Sequence, residues 1–195
     1  MQAESPDDFN ALDHATSAFL SVRSRLFGIA YRMLGTVAEA EDIVQDVWLR
    51  WQSTDRSAVR DATALLVTTT VRLAISHAQS ARSRRETYIG PWLPEPVDTA
   101  ADPTLGADRG EALELAVLIL LEKLSPNERA AYVLREAFDY SYTDIADILQ
   151  LTEPNTRQLV TRARKHITDE RRAQVSAAEH RRFLEAFLLQ PKRQT

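Results

Sequence analysis

Between Pro154 and Arg172 the chain carries six Arg or Lys against two acids. Asn155, Arg157, Gln158, Thr161, Arg162, Arg164 and Lys165 follow at steps that gather amide, hydroxyl and guanidinium groups on one stripe of a helix, while Thr156, Val160, Ala163 and Ile167 occupy the opposite stripe. The first set suits hydrogen bonding to base edges and neutralisation of phosphates. The second suits packing. The chemistry indicated is recognition of DNA rather than bond making, because the sequence offers no grouping of nucleophile, base and orienting residue, and no glycine-rich phosphate loop. A solvated basic helix in a bundle would share the charge pattern alone.

To serve a groove, such a helix must be held out by its neighbours. YTDIADILQLTEPNTRQLVTRARKHI has the layout of a helix-turn-helix: a short helix from Tyr142 or Thr143 to Leu149, a turn over Gln150 to Thr152, and a longer helix from Glu153 to about Arg172. Thr152 is the expected N-cap, Pro154 sits in the first turn, and Ile145, Ala146 and Leu149 are expected to pack on the second helix. Gln150 stands where glycine is common in such turns, so a left-handed backbone costing about 1 kcal/mol is expected there. Two more helices precede the motif, Glu111 to Lys123 and, after a Ser125-Pro126 start, on to about Phe138.

The first half reads as a second helical unit. Apolar residues from Phe19 to Leu34 recur at three- and four-residue steps, Gly35 follows as a C-cap, and Thr36 with Glu39 opens another helix bearing Ala40, Val44, Val47, Trp48 and Trp51 on one face. A third runs from about Asp61 to Arg85, with Leu65, Leu66, Thr69, Leu73 and Ala74 inward. Glu39, Glu41, Asp42, Gln45 and Asp46 form an acidic outer face, readable either as solvated or as a protein interface. Arg72, Arg82, Arg84 and Arg85, interleaved with Ser76, His77, Gln79 and Ser80, form a second basic region able to hold a nucleic-acid backbone.

Composition agrees with helices: of 195 residues 44% are hydrophobic, 27% charged and only five Gly. The expected fold is all-α, two small helical domains joined by a Pro-rich linker. Residues 1–16 read as a flexible acidic lead, 17–86 as the first domain, 87–110 as the linker, 111–172 as the second domain and 173–195 as a helical tail. Half of the eight prolines, Pro91, Pro94, Pro96 and Pro103, fall in the linker, whose Tyr88, Ile89, Trp92 and Leu93 are expected to dock on a domain. With no cysteine, and four histidines too far apart to pair on a helix, no metal and no cofactor is expected. An acidic start and the lack of a long apolar run point to a cytoplasmic chain. A net charge of −4 argues mildly against a free-standing DNA binder.

In order, LFGIAYRMLGTVAEAEDIVQDVWLRW and LSPNERAAYVLREAFDYSYTDIADILQLTEPNTRQLVTRARKHI resemble regions two and four of extracytoplasmic-function sigma factors. YIGPWLPEPV and NTRQLVTRARKHI resemble the SigJ-like subgroup, in which a SnoaL-like domain follows; here HRRFLEAFLLQ follows instead. The resemblance implies a sigma factor that is not an enzyme and that binds core RNA polymerase to direct promoter recognition. It assigns Asp42, Gln45, Asp46 and Arg50 to the β′ clamp helices. It assigns Arg72, Ser76, His77, Arg82, Arg84 and Arg85 to the minus-ten element. For the minus-thirty-five element it implies base contacts from Asn155, Thr156, Arg157, Gln158 and Thr161 and phosphate contacts from Arg162, Arg164 and Lys165. Thr68, Thr69 and Thr70 replace an Arg-Asn-type segment frequent in the family. The β flap, promoter DNA and a regulatory C-terminal domain or anti-sigma factor are the further implied partners, with no membrane and a monomer when free. Two alternatives remain at this point: a dimeric helix-turn-helix regulator that acts without polymerase, and a helical protein-binding adaptor.

Overall fold

A computed structural model describes residues 6–85 and 117–188, with side chains described for 15–80 and 117–170. The linker apolars Tyr88, Ile89, Trp92 and Leu93 lie outside the described residues. Every regular element described is a helix: α1 (Pro6–Leu34), α2 (Val37–Gln52), a 3-10 turn (Arg56–Ala58), α3 (Ala62–Arg85), a short α4 (117–122), α5 (Pro126–Phe138), α6 (Tyr142–Leu149) and α7 (Glu153–Leu188). None of the described helices is long and apolar enough to cross a membrane.

The first unit is a three-helix bundle in which α1 packs on both α2 and α3. Gly35 ends α1 at φ 84°, its N–H donating to the Tyr31 carbonyl at 2.7 Å, so the chain reverses with no Cβ penalty. Thr36 then caps α2 by accepting the Glu39 N–H. Ala40, Ile43, Val44, Val47 and Trp51 are buried, and the Trp51 indole N–H donates to the Ala15 carbonyl at 2.9 Å. That bond belongs to a stretch expected to be a flexible lead. Instead α1 begins at Pro6, a proline followed by Asp7 and Asp8, which is a favourable first turn for a helix. On α3 the buried face is Leu66, Val67, Thr70, Val71 and Ala74, shifted from the expected Leu65, Thr69 and Leu73, which are only half-buried. Thr70 is fully buried because its hydroxyl donates to the Leu66 carbonyl at 2.8 Å, satisfying its polar group within the helix.

In the second unit α5 and α6 both start with a capping box, Ser125 with Glu128 and Ser141 with Asp144. Helix α6 ends at Gln150 with φ 55° and ψ 47°, the left-handed cap that the sequence required, and the Leu151 N–H closes the turn onto the Ala146 carbonyl at 2.9 Å. Ile145, Ala146 and Ile148 of α6 are buried with Thr156, Leu159, Val160 and Ala163 of α7, so Ile148 takes the place expected of half-buried Leu149. Helix α7 does not stop near Arg172 but continues to Leu188. Between Pro154 and Pro191 the chain has neither Gly nor Pro to end it.

The two units share one apolar cluster. Helix α5 lies on α1 and α3, and α6 touches α3. The buried Arg129 guanidinium donates to the Met33 carbonyl at 2.6 Å, Arg72 donates to the Ile148 carbonyl at 3.4 Å, and the Phe138 ring faces Gly28, where an added Cβ would lie 3.2 Å from it. Because Gln150 pays for a left-handed backbone with a side chain that gains nothing there, Gln150→Gly is expected to stabilise the chain by about 1 kcal/mol. A higher midpoint in chemical denaturation at unchanged slope checks it.

Candidate nucleic-acid and protein interfaces

Thr152 and Pro154 set the N-terminal end of α7. The Asn155 N–H donates to the Thr152 hydroxyl at 3.4 Å, and Pro154 fills a position whose N–H has no partner in a helix. With the apolar side of α7 turned to α5 and α6, a 100° step per residue puts Gln158, Thr161 and Lys165 on the outward crest. Arg157 and Arg164 fall on one flank, and Asn155 and Arg162 on the other. All seven are exposed. Thr156 is a correction: it is fully buried, and its hydroxyl donates to the Thr152 carbonyl at 3.2 Å, so it supports the helix and cannot reach a base.

Each flank is braced by an acid. Arg164 donates to Glu136 of α5 at 2.6 and 3.2 Å, and this bond holds its guanidinium pKa above the ordinary value. Arg162 faces Glu128 at 3.7 Å, with His166 at 3.9 Å from the same carboxylate. Arg157 donates to Glu153 of its own first turn, which also accepts from Thr143, and those bonds hold the Glu153 carboxyl below the usual range. Burial pushes the Glu128 carboxyl up, but hydrogen bonds from the Ser125 hydroxyl and N–H, with the charges of His166 and Arg162, outweigh it and leave the pKa lowered.

On α2 the side chains of Asp42, Gln45, Asp46 and Arg50 are exposed and share one face at three- and four-residue steps. The sequence reading missed their neighbour Leu49, which is 54% exposed in the middle of that face. Its spacing from Asp42, Gln45 and Asp46 was the available sign. Gln45 also lines a cleft of about 370 Å³ between α1 and α2, with Leu20, 61% exposed, on its wall.

The second basic region is divided. Arg72 turns to Ile148 of α6. Ser76, His77, Gln79 and Ser80 line a polar cleft of about 870 Å³ together with Asp46, and the His77 ring lies 3.8 Å from Glu39. Arg82, Arg84 and Arg85 are in the last turns of α3, and their side chains lie outside the described residues.

Comparison with known proteins matches residues 18–84 to the sigma-70 region 2 model and residues 114–167 to the sigma-70 region 4 model, together more than half of the chain. The extracytoplasmic-function RNA polymerase sigma factor SigJ of Mycobacterium tuberculosis is 44% identical over 155 residues, covering 78% of this chain and 49% of the relative. A probable factor of the same class from that organism, SigI, is 34% identical over 180 residues, covering 90% and 62%. The chain thus spans about half to three-fifths of the length of these relatives. Among solved structures, M. tuberculosis SigJ superposes with a TM-score of 0.57 at 36% identity, covering 88% of this chain and 61% of that one. The sigma factor RpoE of Bartonella quintana, in complex with the anti-sigma factor NepR, superposes at 0.61 with 21% identity over 79% and 94%, a likeness of fold.

A carboxyl whose folded pKa is depressed adds stability that is complete above its unfolded value and is lost as pH falls through the lower folded one. Glu128→Gln is therefore expected to lower stability at pH 7 by about 1 kcal/mol through the weakened cap, and to flatten the fall in stability between neutral pH and pH 3. Denaturation midpoints across that range check both parts.

Proposed function

The chain belongs to the extracytoplasmic-function sigma factors of the sigma-70 family, SigJ-like, and on that footing we propose that it binds core RNA polymerase and directs promoter recognition at the start of transcription. The observation that carries the proposal is the exposure of two distinct surfaces on one chain, one in each matched region: the α2 face of Asp42, Gln45, Asp46, Leu49 and Arg50, and the outer side of α7. The first is a charged rim around one large apolar side chain, which is how a protein interface concentrates its affinity. We assign it to the β′ clamp helices. Gln158, Thr161 and Arg157 are assigned to base edges of the minus-thirty-five element, with Asn155 beside them, and Arg162, Arg164 and Lys165 to its phosphates. The minus-ten assignment rests on Ser76, His77, Arg72 and the arginines ending α3. Polymerase makes the bonds and the chain supplies binding, which places its work in the cytoplasm.

This role has a geometric requirement. Arg72 touches Ile148, and Asn155 lies seven residues beyond, at most about 25 Å of extended chain. Elements named minus-ten and minus-thirty-five are centred about 25 base pairs apart, about 85 Å of duplex. The docked arrangement cannot span both, so engagement of polymerase must part the two units. Two weak grips then act at a fixed separation, which raises their joint selectivity and fits a chain whose net charge is −4.

Run-off transcription with core polymerase, with and without the chain, tests the reading: promoter-directed transcripts that require the chain support it. Leu49→Asp is expected to lower polymerase affinity by at least about tenfold while leaving the fold intact, since the side chain is exposed. Strong retention of promoter duplex by the chain alone at moderate salt would favour the dimeric regulator instead. Full activity after substitution of both Arg157 and Arg162 would favour the adaptor.

A further inference from the structure

Arg157 has an acid of its own helix, a hydroxyl of α6 and an aromatic ring around its guanidinium. Its Nε and Nη2 both donate to Glu153 Oε1, at 3.1 and 2.5 Å, while Glu153 Oε2 accepts from the Thr143 hydroxyl at 3.2 Å. Its carbon Cζ sits 4.4 Å from the centre of the Tyr142 ring, close enough for a cation–π contact. Tyr142 opens α6 directly after the Ser141 cap, packs half-buried against the core and has Arg135 at 5.1 Å from the same ring. One edge and one face of the Arg157 fork are therefore occupied. The end-on edge, Nη1 with the second N–H of Nη2, is turned away from the Glu153 carboxylate on a side chain that is still 58% exposed.

That end-on fork matches the paired O6 and N7 acceptors of guanine in the major groove. An arginine held this way loses less rotamer freedom on binding than a free one, and it presents the same two donors each time. Arg162 and Arg164, by comparison, lean on acids of α5, an arrangement suited to phosphate. We propose that Tyr142, with Glu153 and Thr143, is a positioning group that presets Arg157 to read one guanine of the promoter. The proposal rests on the sigma-factor reading above and adds to it the base and the residues that decide it.

The test is run-off transcription by core polymerase loaded with the full chain, over duplexes randomised across the minus-thirty-five element. The unaltered chain should prefer guanine at one position, and Arg157→Ala should reduce that preference about tenfold. Tyr142→Ala should relax the same position about threefold, the measure of one exposed cation–π contact, with output averaged over sequences little changed. Tyr142→Phe keeps the ring and should keep the preference. Glu153→Ala alters an exposed side chain and should relax that position whatever becomes of the Tyr142→Ala fold. The proposal is overturned if both Tyr142→Ala and Glu153→Ala retain the original preference, or if they lower transcription evenly on all sequences, as a purely structural pair would. A guanine preference indifferent to Arg157 overturns it while leaving the sigma-factor reading in place. Absence of any chain-dependent transcript overturns both.

Discussion

The relation between the two halves hangs on one buried guanidinium. Arg129, near the start of α5, donates to the carbonyl of Met33 in the last turn of α1, where helix carbonyls lack partners and a positive charge is favoured. The bond fixes α5 to α1, and α6 and α7 follow because they pack on α5. Phe138 at the other end of α5 lies against Gly28, with the Arg32 guanidinium 5.7 Å from its ring centre. A buried charge released into an empty site would be expensive, whereas one released to water is solvated. The contact is consequently strong while the units stay closed and cheap to lose once they separate. A mixed apolar and polar seam of this kind is what separable domains use.

Much of the local grammar of the chain was legible, though not the start of α1 or the end of α7. Gly35, Thr36, Ser125-Pro126, Thr152 and Pro154 each announced a helix end, and Gln150 announced a left-handed turn that the backbone adopts. What escaped were features set by neighbours far along the chain. The run before Phe19 lacks a strong apolar rhythm, yet α1 extends through it because Trp51, 36 residues away, uses the Ala15 carbonyl. The inward face of α3 is turned towards Val67 and Val71 because α1, α2, α5 and α6 all pack on it. Thr156 already stood on the packing stripe, and its burial, with the hydroxyl bonded to the Thr152 carbonyl, removes the base contact that the resemblance implied. Leu49 was placed on neither face of α2, and its 54% exposure follows from the lack of a neighbour on that side among the described residues.

Charge accounts for the acidic balance of a chain that is read as a DNA binder. Three acids, Glu128, Glu136 and Glu153, each oppose one arginine of α7. They hold the arginines extended and also cancel much of their attraction for phosphate at a distance. A duplex must compete with these carboxylates, so only a well-fitted one gains from the exchange. Selectivity is obtained at the expense of raw affinity, a bargain open to a protein whose partner supplies the remaining grip.

Helix α7 is 36 residues long, about 54 Å of unbroken rod. Its N-terminal part is clasped by α5 and α6, and the same backbone runs on without a break to Leu188. A torque applied to the distal part would be passed towards Gln158 and Thr161 along a backbone that no Gly or Pro interrupts. Were α7 to enter a groove as proposed, its orientation there would be open to steering from the far end of the rod.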